Sequence, residues 1–433
     1  MDEFWEKEIE FISVEDKKKL QLERLNNSIE RAKQSDFYKK IDLKKGCLKR
    51  LDDIKDIPFT TKQDLRDGFP YGFLTVSLND VIRLQSSSGT TGNPVVIFHT
   101  QQDINTWANL MARCMYMAGM RNGDIFQNIM GYGLFTGGFG FHYGAEKIGV
   151  MVIPIGTGNS QRQIWFLEKF KTTVMHILPS YALRLHSHIL EEGLDPKKDL
   201  NLKMAFIGAE PHSDEIRRKI ENMYGIKAFN SYGLSEMNGP GVAFECQYQE
   251  GTHIWEDAFY PEIIDPDTLE VLPDGEVGEL VITTLAREAM PIIRYRTRDL
   301  TKIIVEPCKC GRTHRRLDRV KARSDDMIII NGVNIYPLQI EETLMKIKEI
   351  GHNYRIDIEK ENYMDKLYIS VELNKEYFTG DIHQLENIKK TVYEKLKNEL
   401  GVSSIIKLVE SGTLPQNEGK IKRVFDNRSE KGL

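Results

Sequence analysis

The residues in this 433-residue chain whose types and spacing could support catalysis or binding lie in five short polar or glycine-rich segments. The first, SSSGTTGNP, covers residues 86–94. Its hydroxyls and backbone N–H groups could surround a triphosphate, and its glycines would allow close backbone approach. It is not a Walker A loop, because no Gly-Lys-Ser/Thr follows and the next segment, VVIFH, has the composition of a strand. Ser/Thr/Gly clusters also mark ordinary exposed loops, so both interpretations stay open for this segment alone.

The second and third segments combine aromatic rings with carboxylates. NSYGLSEMNGPG, residues 230–241, sets Tyr232 beside Gly233 and Glu236. The ring could stack on a base, and the carboxylate could hold a divalent ion. In RYRTRDL, residues 294–300, Asp299 could accept both hydroxyls of a ribose. The alternatives are a turn with a half-buried tyrosine and a strand end with local ion pairs.

The last two segments lie toward the C-terminus. RSDDMIIINGVNIYPLQIEE, residues 323–342, is typical of a turn followed by a helix that Pro337 opens. LPQNEGKIKRVFDNR contains Lys420 after a glycine in a polar loop. A lysine on such a loop can approach a phosphate and stabilise charge in a transition state. A solvated surface charge is the ordinary role of an isolated lysine and is the alternative here.

The sequence also contains the residue set of a tetrahedral Cys₃His zinc site, namely Cys246, His253, Cys308 and Cys310. The Cys-Lys-Cys-Gly turn could present two thiolates from one knuckle. We expect a structural zinc, because four protein ligands leave no open position. Such an ion would join the loop after the Glu236 segment to a β-rich subdomain. Four unrelated residues are the alternative interpretation, and His314 is a competing ligand.

The elements that must position these residues follow from the hydrophobic pattern. Short β-branched runs alternate with amphipathic helix-length segments over residues 81–226, which predicts a layered α/β domain. Residues 259–305 contain short strands separated by turn pairs, which predicts a β-rich subdomain. A small α+β unit follows. We therefore predict the α/β class, with a large N-terminal domain over residues 1–324 and a small, mobile C-terminal domain over residues 325–433.

The composition excludes several classes of protein. The apolar fraction of 40% and charged fraction of 28% are those of an ordinary globular protein. A net charge of -5 and a pI near 6.1 give no reason to expect nucleic acid as a partner. The N-terminal MDEFWEKEIEF lacks the order of a signal peptide, and no apolar stretch approaches the length of a membrane span. We expect a cytoplasmic protein with no membrane partner.

The order and spacing of the five segments resemble the successive motifs of the adenylate-forming superfamily of acyl-CoA synthetases, adenylation domains and luciferases. The resemblance is closest to the phenylacetate–CoA ligase family and extends from about Phe59 to the C-terminus. YGLFTGGFGFHYGAEKIG, GAEP, YGLSEMNGPGVAFEC and HIWED are typical of that family rather than of the whole superfamily.

The resemblance implies an ATP and Mg²⁺ site. Its residues are expected to be Ser87, Ser88, Gly89, Thr90, Thr91 and Gly92 at the phosphates, Gly208, Ala209 and Glu210 at the adenine and acyl pocket, and Tyr232, Gly233, Glu236, Asp299 and Arg323. Tyr232 would stack on adenine, Glu236 would help to hold magnesium, and Asp299 would bind the ribose. Lys420 would contact the reacting carboxylate and the α-phosphate. Asp325 matches the hinge about which the small domain rotates.

The resemblance also implies the reaction. An acid, ATP and coenzyme A would give acyl-CoA through an acyl-adenylate, with phenylacetate or a similar aryl acid as substrate. The expected acid-binding residues are Tyr132, Phe135, Gly137 and Phe141, although core packing explains the phenylalanines equally well. Transfer of the acyl group to a carrier-protein thiol or an amine is an alternative, as is a catalytically silent nucleotide-binding protein. The resemblance alone suggests a homodimer.

Two positions depart from the superfamily pattern. Val95 stands where many members carry a lysine after the proline of the phosphate loop. Arg298 replaces a glycine that often precedes the ribose-binding aspartate. Neither change removes a group assigned to the reaction.

Overall fold

The computed structural model describes residues 3–41, 43, 47–87, 93–361, 364–378, 380–415 and 422–428. The chain forms two compact units. The first consists of Met1–Ile177, Lys198–Ala209 and Lys227–Ser324, and the second of Leu178–Lys197, Glu210–Ile226 and Asp325–Leu433. Within the described ranges, no helix combines the length and apolar character that crossing a bilayer requires.

The helices of the first unit begin at side-chain caps that the sequence supplies. The Ser13 hydroxyl accepts the Asp16 N–H, and Thr100 forms a reciprocal capping box with Asp103. Gly119, at φ 114°, ends the helix that Thr100 starts. The helices are α1 (Lys7–Glu10), α2 (Val14–Ala32), α3 (Lys62–Asp67), α4 (Gln101–Ala118), α5 (Thr136–Ile148) and α6 (Ser160–Lys169).

The strands of the first unit form three sheets. The strands are β1 (Arg83–Ser86), β2 (Val96–His99), β3 (Ile125–Asn128), β4 (Met151–Ile153), β5 (Val174–Ile177), β6 (Met204–Gly208), β7 (Lys227–Leu234), β8 (Gly239–Glu245), β9 (Thr252–Ile254), β10 (Phe259–Ile264), β11 (Gly278–Thr284), β12 (Tyr295–Thr301), β13 (Ile303–Ile304), β14 (Arg316–Leu317) and β15 (Ala322–Arg323). Their alternation with helices confirms the predicted α/β class.

A nine-stranded sheet is the largest element of the first unit, with the order β13-β14-β9-β8-β7-β6-β5-β3-β4. Strands β7, β6, β5, β3 and β4 run parallel to one another. The remaining neighbours, β7 with β8, β8 with β9, β9 with β14 and β14 with β13, pair antiparallel. Every residue of β5 and β6 is buried. Continuous burial along a strand is typical of the inner strands of a parallel sheet.

The predicted β-rich subdomain is a four-stranded antiparallel sheet in the order β10-β11-β12-β15. Strand β13, which the sequence places in the same subdomain, instead belongs to the nine-stranded sheet. The reason is that β13 pairs with β14, and β14 pairs with β9 through Arg316 and His253. The third sheet is the antiparallel pair β1 and β2.

The second unit contains the predicted small α+β segment. Its helices and strands are α7 (Pro179–Glu191), α8 (Asp214–Tyr224), α9 (Pro337–Met345), α10 (Ile382–Leu400), β16 (Ile328–Ile330), β17 (Val333–Ile335), β18 (Ile350–Glu361), β19 (Met364–Leu373), β20 (Ser404–Val409) and β21 (Val424–Asp426). A four-stranded sheet has the order β20-β19-β18-β21, and the core between it and the helices includes Ile356, Ile369, Val392 and Leu396. The apolar pattern of LQIEETLMKIKEI, residues 338–350, predicts a longer helix than α9, which ends at Met345, and Ile350 already begins β18.

Candidate functional site

Tyr232 and Glu236 are positioned by an irregular connection between β7 and β8. The pairing of these strands shifts register between Tyr232 and Gly233. A Cβ atom on Gly233 would lie 2.0 Å from the Gly239 carbonyl oxygen, so no larger residue fits at this bulge. A single 3₁₀ turn, Ser235–Met237, then carries Glu236. The glycine therefore has a structural reason for its place in the motif.

The Glu236 carboxylate is buried and surrounded by groups from distant parts of the chain. The Tyr295 hydroxyl donates to Glu236 Oε1 at 3.1 Å, and Lys62 Nζ lies 3.8 Å from the same atom. Arg287 donates to the Glu236 carbonyl oxygen at 3.3 Å. Burial raises the pKa of Tyr295 well above its ordinary value, with Glu236 adding to the rise, so the phenol stays a donor. This arrangement orients one carboxylate oxygen.

Sequence reasoning did not assign Tyr295, Lys62 or Arg287 to the site. Tyr295 lies inside the RYRTRDL segment, and Lys62 lies inside IPFTTKQDLRDGFPYGF, residues 57–73. RYRTRDL is one of the five motif segments, and the segment that contains Lys62 stands where the resemblance begins, at about Phe59, so both could have drawn attention to these residues. Arg287 had no comparable signal, because its side chain reaches Glu236 only through the fold.

The predicted ribose site joins three motif residues. Tyr232 donates from its hydroxyl to Asp299 Oδ2 at 2.6 Å, and Arg323 Nη1 lies 3.2 Å from Asp299 Oδ1. Asp299 and Arg323 are direct partners across strands β12 and β15. Burial raises the pKa of Tyr232 well above its ordinary value, and the Asp299 charge raises it further. A ribose bound at Asp299 would share the carboxylate with both neighbours.

The structure also shows the physical effect of the two departures. Val95 is fully buried, so this position lies in the core where a lysine charge would be costly. Arg298 adopts φ 68°, the left-handed region in which glycine is at no disadvantage. Its guanidinium lies 3.5 Å from Glu279, which offers it a partner at this strained position. The left-handed backbone at position 298 therefore explains why the superfamily pattern often has glycine there.

The other predicted nucleotide residues are only partly described. Gly208 ends β6, and a Cβ atom there would lie 2.6 Å from Ser231 Oγ and 2.7 Å from the Ser231 carbonyl oxygen. Ala209 follows at φ 65°. The Ser87 N–H donates to the Val95 carbonyl oxygen at 3.0 Å. The residues that lie outside the described ranges are Ser88, Gly89, Thr90, Thr91, Gly92 and Lys420.

Glu210 and Asp325 belong to the second unit. The Glu210 carboxylate accepts the Ser180 N–H at 2.6 Å and the Ser180 hydroxyl at 3.1 Å. Burial raises the pKa of Glu210, and the bonds from Ser180 oppose the rise. Asp325 is exposed in a turn after β15, at the start of the last segment of this unit.

The predicted acid-binding residues differ in burial. The Tyr132 hydroxyl lies 2.9 Å from Asn128 Nδ2 and 3.1 Å from His142 Nδ1, and burial raises its pKa to about 12. Phe135 is 50% exposed, whereas Phe141 is 1% exposed within the core. A Cβ atom on Gly137 would meet only Met130, at 3.9 Å. The assignment of these four residues to an acid pocket stays a prediction.

The four predicted zinc ligands come together. Their ligand atoms all lie within 4.8 Å of one another. Cys246 follows β8, His253 lies on β9, and the knuckle with Cys308 and Cys310 connects β13 to β14. The Gly311 N–H donates to the Cys308 carbonyl oxygen at 3.0 Å and closes the knuckle. The cluster therefore joins the segment after β8 and strand β9 to the knuckle between β13 and β14. All four strands belong to the nine-stranded sheet, and not to the four-stranded sheet that most of the predicted β-rich subdomain forms.

The distances and hydrogen bonds fit a tetrahedral ion. Cys246 Sγ lies 3.6 Å from Cys308 Sγ, and Cys310 Sγ lies 3.3 Å from His253 Nε2. Ligands of a tetrahedral zinc ion are about 3.5–3.8 Å apart when the metal bonds are about 2.0–2.3 Å. His253 Nδ1–H donates to the His314 carbonyl oxygen at 3.0 Å, which leaves Nε2 as the metal-facing atom.

His314 is not a member of this cluster. Its Nδ1 accepts the Glu256 N–H at 3.1 Å, and its Nε2 lies 2.9 Å from the Ile9 carbonyl oxygen, to which it donates. Both ring nitrogens are therefore used. Hydrogen bonding with Cys246 lowers the pKa of Cys310 most strongly, and the bond with His253 lowers it further, which favours a thiolate at Cys310.

Comparison with known proteins gives the family. The model for AMP-binding enzymes matches residues 6–286, and the model for the AMP-binding enzyme C-terminal domain matches residues 332–428. A phenylacetate-coenzyme A ligase of Pseudomonas putida is 45% identical over 426 residues, covering 97% of this chain and 96% of its own. One from Escherichia coli (strain K12) is 40% identical over 427 residues, with 97% of each chain covered.

A solved structure of a CoA ligase is also similar to this chain over nearly its whole length. The crystal structure of 2-hydroxyisobutyryl-CoA ligase in complex with 2-HIB-AMP has a TM-score of 0.93 and 28% sequence identity, and the match covers 99% of this chain and 93% of that one. The chain therefore belongs to the phenylacetate–CoA ligase family of AMP-binding, adenylate-forming enzymes.

Proposed function

We propose that this protein is an ATP-dependent acid–CoA ligase that acts on phenylacetate or a similar aryl acid. The products are acyl-CoA, AMP and diphosphate. The observation that carries the proposal is the identity of 40% to 45%, over nearly the whole chain, with four phenylacetate-coenzyme A ligases. The buried carboxylates of Glu236 and Asp299 support it, because they suit a metal ion and a ribose.

In the first half-reaction, an oxygen of the acid forms a bond to the α-phosphorus, and the bond from that phosphorus to the bridging oxygen of diphosphate breaks. A magnesium ion held in part by Glu236 would neutralise phosphate charge. Tyr295 orients the Glu236 carboxylate, and Asp299 holds the ribose with Tyr232 and Arg323. Lys420 supplies positive charge at the reacting carboxylate and the α-phosphate.

In the second half-reaction, the coenzyme A thiol loses its proton to solvent, its sulfur forms a bond to the acyl carbon, and AMP leaves with the electrons of the acyl–oxygen bond. This step needs room for the thiol, so Lys420 must leave. We assign that rearrangement to a hinge at Asp325, between domains covering residues 1–324 and 325–433. We also propose that the protein is a cytoplasmic homodimer, whose mass would be twice the 49.9 kDa of one chain.

A structural zinc ion is a separate part of the proposal. Three thiol groups and one imidazole, with ligand atoms within 4.8 Å, form a donor set that zinc favours. His253 is already oriented by its bond to the His314 carbonyl group. The ion would fix the knuckle between β13 and β14 against β9, and it has no part in the chemical steps.

The test is diphosphate release by the purified protein with ATP, Mg²⁺ and a panel of aryl and aliphatic acids, with and without coenzyme A. We expect release that depends on an aryl acid and turns over only with coenzyme A. Lys420→Ala should abolish release, whereas Lys422→Ala, at an exposed lysine two residues further on, should retain it.

Three other outcomes would contradict the proposal in different ways. Turnover with an amine or a carrier-protein thiol, but not with coenzyme A, would identify a different acceptor. ATP binding without diphosphate release for any acid would favour a silent nucleotide-binding protein. Preference for an aliphatic acid would support the ligase activity but contradict the proposed aryl acid substrate.

A further inference from the structure

Glu341 connects two segments of the second unit that are distant in sequence. It lies on α9 and is 5% exposed. Its Oε1 accepts the Ser213 N–H at 3.0 Å, and its Oε2 accepts the Tyr354 hydroxyl at 2.9 Å. Both carboxylate oxygens are therefore used, one toward the loop 210–213 and the other toward strand β18. Bonds to a buried carboxylate are among the stronger hydrogen bonds in proteins.

Arg423 extends this connection toward the C-terminus. Its Nε lies 4.0 Å from Glu341 Oε2, and its guanidinium carbon lies 4.2 Å above the Tyr354 ring. Its Nη1 donates to the Tyr354 carbonyl oxygen at 3.3 Å, and its own carbonyl oxygen accepts the Ile356 N–H at 2.8 Å. Arg423 is thus held by β18 and by Glu341 together.

A second attachment lies on the N-terminal side of residues 416–421. The Leu414 N–H donates to Glu372 Oε1 at 2.8 Å, and Asn353 Nδ2 donates to the same oxygen at 3.1 Å. Leu414 and Arg423 are therefore fixed near the adjacent strand positions Asn353 and Tyr354. Leu414 and Arg423, which lie on either side of Lys420 in the sequence, are therefore both anchored residues.

The loop at the other end of the Glu341 connection is also well fixed. Ser213 caps α8, since its hydroxyl accepts the Ile216 N–H at 3.2 Å. Glu210, three residues earlier, accepts two hydrogen bonds from Ser180. Burial raises the pKa of Glu210, and the charge of Arg423 opposes that rise while the charge of Glu341 adds to it. The Glu341 carboxylate and Arg423 together link the loop of the GAEP motif to the C-terminal anchor.

We propose that Glu341 is a positioning residue for adenylation, acting through Arg423 and the Ser213 N–H to hold the anchor of the Lys420 segment to the loop 210–213. The inference rests on the proposed function, in which Lys420 acts in acyl-adenylate formation and not in thioester formation. A contact that serves only the first half-reaction should affect that half-reaction alone.

The test measures the two half-reactions separately. Acyl-adenylate formation is followed by acid-dependent exchange of labelled diphosphate into ATP, and thioester formation by adding synthetic phenylacetyl-adenylate and coenzyme A. Glu341→Gln keeps the side-chain shape but offers one acceptor oxygen instead of two and removes the charge. Tyr354→Phe removes one hydrogen bond while retaining the ring beneath Arg423. Glu386→Gln, at an exposed carboxylate on α10, is the matched control.

We expect Glu341→Gln to slow exchange between about tenfold and a hundredfold, the range for losing bonds to a charged group. Tyr354→Phe should have a smaller effect in the same direction, and thioester formation should stay within about twofold of the parent protein. The double variant should be less impaired than the product of the single effects, because both changes remove one connection.

Two results would overturn the inference. Equal losses in both half-reactions, with a lower unfolding temperature, would make Glu341 a stabilising residue only. Unchanged exchange in both single variants would show that the connection does not matter for adenylation. Failure of the proposed function gives a different result, namely no exchange in the parent protein with any acid.

Discussion

The Tyr232 hydroxyl donates a hydrogen bond of 2.6 Å to Asp299, and it thereby joins two motifs that are 67 residues apart in the chain. Arg323 approaches the other carboxylate oxygen at 3.2 Å. The carboxylate is therefore oriented from both sides before a nucleotide binds. Orientation in advance lowers the entropic cost of binding a ribose.

Removing the Tyr232 hydroxyl should weaken ATP binding more than it slows chemistry. Tyr232→Phe keeps the ring, so any stacking on adenine is retained, but Asp299 loses the hydrogen bond from the Tyr232 hydroxyl. We expect the KM for ATP to rise about tenfold, the effect of one charge-assisted hydrogen bond. Steady-state rates at saturating acid and coenzyme A measure this, with Tyr248→Phe as the exposed control. A fall in kcat at unchanged KM would contradict the predicted role.

Loss of a metal ligand should reduce both metal content and stability. The parent protein should contain about one zinc ion per chain, as expected for a four-ligand structural site. Cys310→Ser should lose most of the zinc and unfold several degrees lower, because the knuckle then lacks its link to β9. Elemental analysis and thermal unfolding measure the two effects. Cys47→Ser, at an exposed cysteine outside the cluster, should change neither, and equal zinc in both variants would exclude the site.

His99 should make stability sensitive to acid. It is fully buried and stacked on Trp107 at 5.7 Å, and within the described part of the chain neither ring nitrogen has a hydrogen-bond partner. Burial lowers its pKa from 6.5 to about 2, with Arg287 and Arg83 adding to the effect. Above pH 6.5 neither state binds a proton. As the pH falls below 6.5, only the unfolded state does, so stability is lost.

His99→Phe removes the difference in proton binding between the folded and unfolded states. It also removes the two ring nitrogens, which have no hydrogen-bond partner among the described residues. We expect the variant to be more stable than the parent by about 1–3 kcal/mol at neutral pH. The advantage should grow by about 1.4 kcal/mol between pH 7.5 and pH 5.5. Urea unfolding at the two pH values measures this, and the same substitution at exposed His383 is the control. A constant difference across this range would contradict the assigned titration.

The conformation of Arg298 should limit which residues are tolerated there. A left-handed residue costs about 1–2 kcal/mol relative to glycine, and a β-branched side chain costs more. We expect Arg298→Gly to stay within about 1 kcal/mol of the parent, because relief of strain offsets greater freedom in the unfolded chain. Arg298→Val should be destabilised by about 2 kcal/mol or more. Equal stability of the two variants, measured by urea unfolding, would show that φ does not limit this position.

The sequence by itself determined the α/β class, most elements and the family. These features depend on local signals: the alternation of β-branched runs with amphipathic segments, helix caps such as Ser13 and Thr100, and motifs in a characteristic order. It also supplied the four metal-ligand candidates, because three cysteines and one histidine are the residue set of a tetrahedral zinc site, and the structure brings them together. Helix α9 was predicted too long, because the same apolar residues suit the start of β18.

Only the tertiary structure decided which side chains meet. Tyr295, Lys62 and Arg287 reach Glu236 from segments between 51 and 174 residues away, and no local pattern encodes such contacts. Strand register places Arg323 opposite Asp299. The pairing of β14 with β9 places the four metal-ligand candidates at the nine-stranded sheet. The fold also gives both ring nitrogens of His314 hydrogen bonds to backbone groups of Glu256 and Ile9. Contacts of this kind depend on long-range pairing, and a register shift of one residue between β12 and β15 would have moved Arg323 away from its position opposite Asp299.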